Sequence, residues 1–420
     1  MEMSNEGKTG RLVQRRWTPG LHAFGGRRSR QFFTYEAYVP DPIADSNPVL
    51  PGDIAQVVVD AERDVRALNS LPAAASLEAV ARQLLRQESV ASSRIEGLKL
   101  SQRRLAEAIY SPDQRDVTAR SVLNNISAMD EAIALAGVVR SFTVADIQQI
   151  HRTLLTTSID ARIAGVLRQE QNWIGGGNTP RDAAFIPPPE DEVPGLLADL
   201  CTFIDRDDIP AVVQAAIVHA QFETIHPFAD GNGRVGRCLI HVVLRRRDVA
   251  DRYVPPVSVI LATNATAYIR GLTEYRAGLV SEWCGLFAAA LRSAARRAEA
   301  LTRELRLLED AWRERAGYPR RGSAADTLLA QLPAFSIVDS ATVQHIAGVS
   351  AVAARNALNE LEQAKVLRQI TVGKRNRAWM AHEVFEVINA FEWDIATPED
   401  PDETRRPAPL RRRASARLRP

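Results

Sequence analysis

From Asp53 to about Arg315 the apolar residues recur at helical spacing with almost no break, which commits most of this 420-residue chain to an α-helical assembly. One interruption stands out. Trp173-Ile174 runs into Gly175-Gly-Gly-Asn-Thr-Pro180, and Phe185-Ile186 runs into Pro187-Pro-Pro189, the pattern of a short hairpin with proline-blunted edges. Residues 31–50, with Tyr35, Tyr38 and several prolines, read as extended and turn-like. After a Gly/Pro/Arg stretch at 317–323 the pattern changes to helical runs near 324–332, 340–347 and 350–365. Leu367 to Val372, a Gly373-Lys-Arg-Asn376 turn and Arg377 to Met380 follow as a hairpin. Three short helices and a hairpin spell a winged helix, so the expected fold class is mainly α with a C-terminal winged-helix domain.

This length exceeds the usual ~100–200 residues of one domain, so two or three are expected. The net charge of +2 is too small to demand nucleic acid, although Arg405, Arg406, Arg411, Arg412, Arg413, Arg417 and Arg419 make a basic tail. With Pro407, Pro409 and Pro420 in it, residues 396–420 are expected to be disordered, as is the Gly- and Arg-rich stretch 1–30. Cys201, Cys238 and Cys284 lie far apart, in neither a disulfide framework nor a zinc spacing, which points to a reducing cytosol. No apolar run reaches the roughly 18 residues of a membrane span, so a cytoplasmic, soluble protein is expected. Lys8, Lys99, Lys365 and Lys374 are outnumbered by dozens of arginines, the bias of a GC-rich bacterial genome.

Chemistry concentrates in His226-Pro-Phe-Ala-Asp-Gly-Asn-Gly-Arg-Val-Gly-Arg237. The preceding segment 208–225 reads as a buried helix with Asp208 near its cap and Pro210 in its first turn, and a second helix is expected from about Gly233. The loop between them therefore opens onto a helix N-terminus, whose free N–H groups and dipole attract anions. Gly231 and Gly233 let successive N–H groups converge. Arg234 and Arg237, three apart on one face, can grip two phosphates of one polyphosphate. Asp230 suits Mg²⁺, which takes one or two carboxylates beside phosphate and water. His226 is the natural general base. Phe228 reads as an apolar anchor for the loop and His219, on an apolar helix, as a buried hydrogen-bonded histidine.

At every defined position residues 226–237 resemble the Fic family signature His-x-Phe-x-(Asp/Glu)-Gly-Asn-Gly-Arg-x-x-Arg. Phe33-Thr-Tyr-Glu-Ala-Tyr-Val-Pro40 and Gly165-x-x-Arg168-x-x-Gln171-Asn-Trp-Ile-Gly175 resemble the family's N-terminal region and the lead into its flap, so the resemblance covers about 30–300. It implies an all-helical core with a β-hairpin flap: a Fic N-terminal region at 31–110, the catalytic core at 111–316 and the winged helix at 317–395. The activity it implies is transfer of AMP from ATP to a protein hydroxyl. His226 would deprotonate a Ser, Thr or Tyr, while Gly231, Asn232, Gly233, Arg234 and Arg237 hold the nucleotide and Asp230 holds Mg²⁺. The flap would pair with an extended target segment, with Thr179, Pro180 and Ile186 as contacts. A homodimer and self-modification are further expectations of the resemblance.

Ser92-Ser-Arg-Ile-Glu96-Gly97 closes a helical pattern that begins near Leu77, with Ser92 and Glu96 on one face and Gly97 as a natural C′ residue. A glutamate at the negative end of a helix dipole calls for a cation. The hexad resembles the Fic inhibitory motif (Ser/Thr)-x-x-x-Glu-(Gly/Asn), which implies that Glu96 pairs with Arg237 and blocks seating of the γ-phosphate.

Gly7-Lys8-Thr9 echoes the end of a P-loop, but the glycine required five residues earlier falls at Glu2 and no strand precedes it. Two alternatives stay open: removal of AMP or transfer of another phosphate-containing group by the same fold, and DNA binding through the winged helix. For the latter, Ser350 would cap a recognition helix carrying Arg355 and Asn356, with Lys374, Arg375 and Arg377 on the wing.

Overall fold

The computed structural model describes residues 10–18, 31–70, 75–111, 115–138, 140–156, 161–177, 179–372 and 376–396. It opens with an antiparallel pair, β1 (Gly10–Trp17) on β2 (Phe33–Pro40), in register from Gly10↔Pro40 to Trp17↔Phe33. The helices α1 (Gly52–Asn69), α2 (Ala75–Ile95), α3 (Gln102–Tyr110), α4 (Val117–Val138) and α5 (Val144–Leu155) follow. Next come α6 (Val193–Ile204), α7 (Ala211–Ile225), α8 (Asn232–Arg246), α9 (Val257–Thr263), α10 (Ala265–Arg276) and α11 (Val280–Arg315). The C-terminal unit runs α12 (Ala324–Gln331), β3 (Ile337–Val338), α13 (Ser340–Ala347), α14 (Ala351–Gln363), β4 (Arg368–Val372), β5 (Asn376–Met380) and α15 (His382–Ala396), with sheet order β3-β5-β4.

Every residue of α7 is buried, as expected of a helix apolar on all sides. It forms the axis of the large core, wrapped by α6, α8, α10 and α11. The indole of Trp283 donates to the Ala216 carbonyl at 2.8 Å and, with Phe287, fixes α11 across it. Full burial of one such aromatic stabilises by about 1.5–3 kcal/mol. At 1.5 Å per residue the 36 residues of α11 span about 54 Å and reach the second core, where Trp312 is enclosed by Leu328, Leu358 and Val384.

The C-terminal unit closes on α2. Leu84 and Ala91 share a cluster with Leu301, Leu305 and Phe391. Glu392 accepts from Arg94 at 3.3 Å and from the Gln102 amide at 2.7 Å. Arg86 donates to the Ala334 carbonyl, Arg82 lies over the Phe335 ring, and Tyr110 donates to Asp339 at 3.1 Å.

Four expectations need correction. Residues 10–17, expected to lack order within 1–30, are a strand, because the β2 main chain supplies its hydrogen bonds whatever the composition of β1. The hairpin at 173–189 is a single bridge, Ile174↔Phe185, around a 3-10 turn at Pro180–Asp182; Pro180 starts that turn, and the three prolines at 187–189 offer no N–H to a ladder. Pro210 caps α7 from outside it, while Asp208 pairs with Arg206. The short strand β3 and helix α15 escaped the periodicity reading. Lys374, Arg375 and nearly all of the basic tail lie outside the described residues. Among the described residues no helix is long and apolar enough to cross a membrane.

Candidate active site

The junction of α7 and α8 is built by polar side chains working on the backbone. His226 ends α7 in the left-handed region at φ 49°, which a histidine adopts only when held. Its carbonyl accepts from Arg168 Nε at 2.9 Å and from the Asn172 amide at 3.3 Å. Arg168 also donates to the carbonyls of Glu170 and Pro188, so one buried guanidinium ties the flap region to the histidine. Asn172 reaches the Phe228 carbonyl at 3.1 Å as well.

Beyond His226 the loop folds over Phe228, which is fully buried and stacked on the His151 ring at 3.7 Å. His151 stands on α5, whose start is fixed by a capping box of Thr143 and Asp146. The Gly165 N–H donates to His151 Nδ1 at 2.9 Å, which leaves the ring proton on Nε2 to donate to the Asp230 carbonyl at 2.9 Å. Burial pushes this imidazole down to about 4, so it stays neutral and its tautomer is set. At Gly231 (φ 80°) a Cβ would come within 3.0 Å of Leu154 Cδ2.

Asn232, expected at the nucleotide, turns inward instead. Its carboxamide accepts from the Phe228 N–H and donates to the Phe228 carbonyl, both at 2.8 Å, because one carboxamide matches both the donor and the acceptor of that residue. What Asn232 offers at the α8 N-terminus is its main chain. Asp230 is 67% exposed on the loop and leans on Arg234 at 3.5 Å. Arg234 is otherwise buried and donates to Ser121 at 3.0 Å.

Arg237, one turn further along α8, is enclosed by the end of α2. Its guanidinium donates to the Ser92 hydroxyl at 2.8 Å, to the Ser92 carbonyl at 2.9 Å and to Glu96 at 2.7 Å. Glu96 follows the last residue of α2, with Gly97 at φ 82° closing the turn. Its Oε1 lies 2.0 Å from where a Cβ on Gly233 would stand, so the carboxylate sits against the first turn of α8. Partial burial pushes the Glu96 carboxyl up, but Arg237 overrides it and holds it below the usual carboxylate range, aided by Arg234 and His226.

The His226 side chain keeps 20% of its surface open, and its burial pushes the imidazole down to about 4. Behind it Glu223 is buried one turn earlier on α7, its Oε2 3.9 Å from His226 Nδ1. His219, as expected, is buried and bonded, with its Nε2 2.9 Å from the Tyr268 hydroxyl.

The fold thus gathers Ser92, Glu96, His226, Asp230, Gly231, Asn232, Gly233, Arg234 and Arg237 at one junction. Among the expected flap contacts, Thr179 and Pro180 are buried, and the Ile186 carbonyl already accepts from Tyr38 in β2 at 3.0 Å. Their placement follows from the 3-10 turn and from β2, which occupies an edge expected to be open. Arg355 and Asn356 are exposed on α14, whose cap is the Ser350 hydroxyl, and Arg377 is exposed on β5, all in the C-terminal unit. His151, Glu223 and Ser121 were not anticipated. Arg168 and Asn172 enter the sequence reading only through the resemblance.

Residues 141–244 match the Fic/DOC family and residues 56–134 match the Fic/DOC family N-terminal region. A probable protein adenylyltransferase of Aquifex aeolicus is 29% identical over 163 residues, 36% of this chain and 48% of that protein. The protein adenylyltransferase Fic of Drosophila melanogaster is 32% identical over 143 residues, 31% of this chain and 26% of the relative. The chain spans less than half the length of these curated relatives. In fold it is similar to a Fic family protein from Desulfovibrio desulfuricans G20, with a TM-score of 0.51 at 22% identity over 80% of this chain and 97% of that one.

Proposed function

We propose that this chain, which carries the Fic/DOC domain at 141–244 and the family's N-terminal region at 56–134, is a protein adenylyltransferase restrained by its own Glu96. The observation that carries this reading is the Glu96 carboxylate resting against the first turn of α8 and bonded to Arg237 at 2.7 Å. A helix N-terminus flanked by two buried arginines is an anion site, and an internal carboxylate stands in it where a phosphate group would bind.

With Glu96 withdrawn, the N–H groups of α8 and the guanidinium groups of Arg234 and Arg237 face the polyphosphate of ATP. His226, held neutral by burial, takes the proton of a Ser, Thr or Tyr hydroxyl. The hydroxyl oxygen bonds to the α-phosphorus, the bond from that phosphorus to the bridging oxygen breaks, and pyrophosphate departs with the electron pair. Asp230 is an exposed carboxylate on the loop that leads into α8. That suits Mg²⁺, which shares its shell with phosphates and water; Asp230 would hold it, and it supplies charge neutralisation.

The test is incubation of wild type, Glu96→Gly and Glu96→Gly/His226→Ala with Mg²⁺ and ATP labelled at the α-phosphate, with and without bacterial lysate. Label on protein should be strong for Glu96→Gly, weak for wild type and absent for the double variant. Three folded, unlabelled proteins would overturn the reading.

The C-terminal unit supports a second reading, DNA binding by a winged helix. Its order α12, β3, α13, α14, β4, β5 is that of the motif, and α14 presents Arg355 and Asn356 to solvent. Affinity of the full chain for duplex DNA that falls steeply with added salt would support it. The buried, free Cys201, Cys238 and Cys284 agree with a cytoplasmic setting.

A further inference from the structure

On α7, His219 and Glu223 are four residues apart and share one helical face, and His226 caps the helix one turn beyond Glu223. That face is buried against α8 at Gly236, where an added Cβ would stand 2.7 Å from Glu223 Oε1 and 3.2 Å from His219 Nδ1. Along it Glu223 Oε1 has no hydrogen-bond partner, and His219 Nδ1 and His226 Nδ1 have no more than poorly aligned contacts with the main chain of Gly236 and Glu223. Orphaned buried groups cost about 1–3 kcal/mol each and are rarely kept without a use. The mechanism above uses His226 but leaves unexplained why a carboxylate is buried behind it.

We infer that Glu223 is a positioning residue for His226: its carboxylate stands behind Nδ1, accepts a hydrogen bond from the Nδ1–H, and so leaves the Nε2 lone pair to face the target hydroxyl. The inference rests on the reading of His226 as the base. When Nε2 accepts the hydroxyl proton the ring becomes an imidazolium, and a carboxylate on the Nδ1 side balances that charge. The separation of 3.9 Å is that of a pair at rest, and such contacts tighten when reactants arrive. Gly236 fits this arrangement, since any side chain there would push against the carboxylate.

The charges around the pair are defined. Arg237 on α8 and Arg276 at the end of α10 pull the Glu223 carboxyl down, while burial, the largest influence, and Glu96 push it up to about 7. Around His226, Arg168 and Arg276 disfavour the imidazolium, and the Glu223 main chain and Glu96 favour it. Tyr268 on α10 and His219 complete the surroundings through their mutual bond.

Glu223→Gln keeps the volume and can still accept from Nδ1, but removes the charge. In the Glu96→Gly background kcat should fall at least about tenfold, with KM for ATP within about twofold. Burial pushes the Glu223 carboxyl up to about 7, so its charge is gained as pH rises through that value, and the rise of kcat/KM near neutrality should be lost in Glu223→Gln. In NMR of histidine-labelled protein the His226 ring signals should move as pH passes through the same value, and that step should be absent in Glu223→Gln. A wild-type kcat in Glu223→Gln with the near-neutral step retained would overturn the inference. The NMR titration needs no turnover, so if no variant transfers AMP the proposed activity fails while the role of Glu223 is still decided. Should Glu223→Gln not fold, Gly236→Ala displaces the same carboxylate and must move the same near-neutral step.

Discussion

Arg237 and Glu96 meet at 2.7 Å across the α8–α2 contact, the guanidinium 1% exposed and the carboxylate 38% exposed. The asymmetry matters: the cation is locked in the core and the anion stands at its rim, so the pair opens by moving Glu96. Glu96→Gly should therefore raise AMP transfer at least about tenfold while destabilising by about 3 kcal/mol, since the buried Arg237 loses its carboxylate and keeps only the Ser92 bonds. Comparing initial rates and melting temperatures of the two proteins checks both halves.

The same pair sets a pH dependence. Arg237 holds the Glu96 carboxyl below its ordinary value of 4.5, so the stabilisation is complete above that value and fades as pH falls through the depressed one. Between about pH 6 and 8 the ratio of Glu96→Gly activity to wild-type activity should stay flat. A ratio that falls steadily across that window would mean a different group controls release.

Ser92 gives Arg237 its Nε partner at 2.8 Å. Ser92→Ala leaves the Glu96 bond and the Ser92 carbonyl bond in place, so it should destabilise by about 1 kcal/mol and release activity less than Glu96→Gly does. Parallel rate and denaturation measurements rank the two variants.

Glu392 holds Arg94, two residues before Glu96, and Gln102 on the next helix. Glu392→Ala frees the last turn of α2 and should give activity between wild type and Glu96→Gly. In the Glu96→Gly background it should add nothing, and a further increase there would show that Glu392 acts by another route.

Asn232→Ala removes both bonds that close the loop on Phe228. Loss of a buried bonded amide costs about 1–3 kcal/mol, and activity should fall further than stability because the loop carries Asp230. Retained activity at permissive temperature would show that the loop holds its shape without this brace.

How much of this was legible follows from distance along the chain. His226 to Arg237 could be read directly because twelve contiguous residues carry the base, the turn and the cations. Ser92 and Glu96 could be paired by helical spacing, and Arg237 supplied the missing cation. His151, Arg168 and Asn172 could not, since they reach the 226–230 loop from 54 to 79 residues away and only the packed fold brings them there. The inward turn of Asn232 was hidden by ambiguity of function, because an amide beside an anion site serves a ligand and a loop equally well. The strand β1 was hidden by composition: Gly and Arg mask an element whose order comes from β2.

The joint between the two cores is not a place to cut. The sequence breaks at the Gly/Pro/Arg stretch near 317–323, but Phe391 beyond it covers Leu84 and Ala91 on α2, and Trp312 before it is housed among Leu328, Leu358 and Val384. A fragment ending near residue 316 would bare a greasy stripe along the helix that leads into Glu96 and leave an unhoused tryptophan at its tip. AMP transfer measured on such a fragment would report an injury to the proposed latch rather than the intrinsic speed of the proposed transferase.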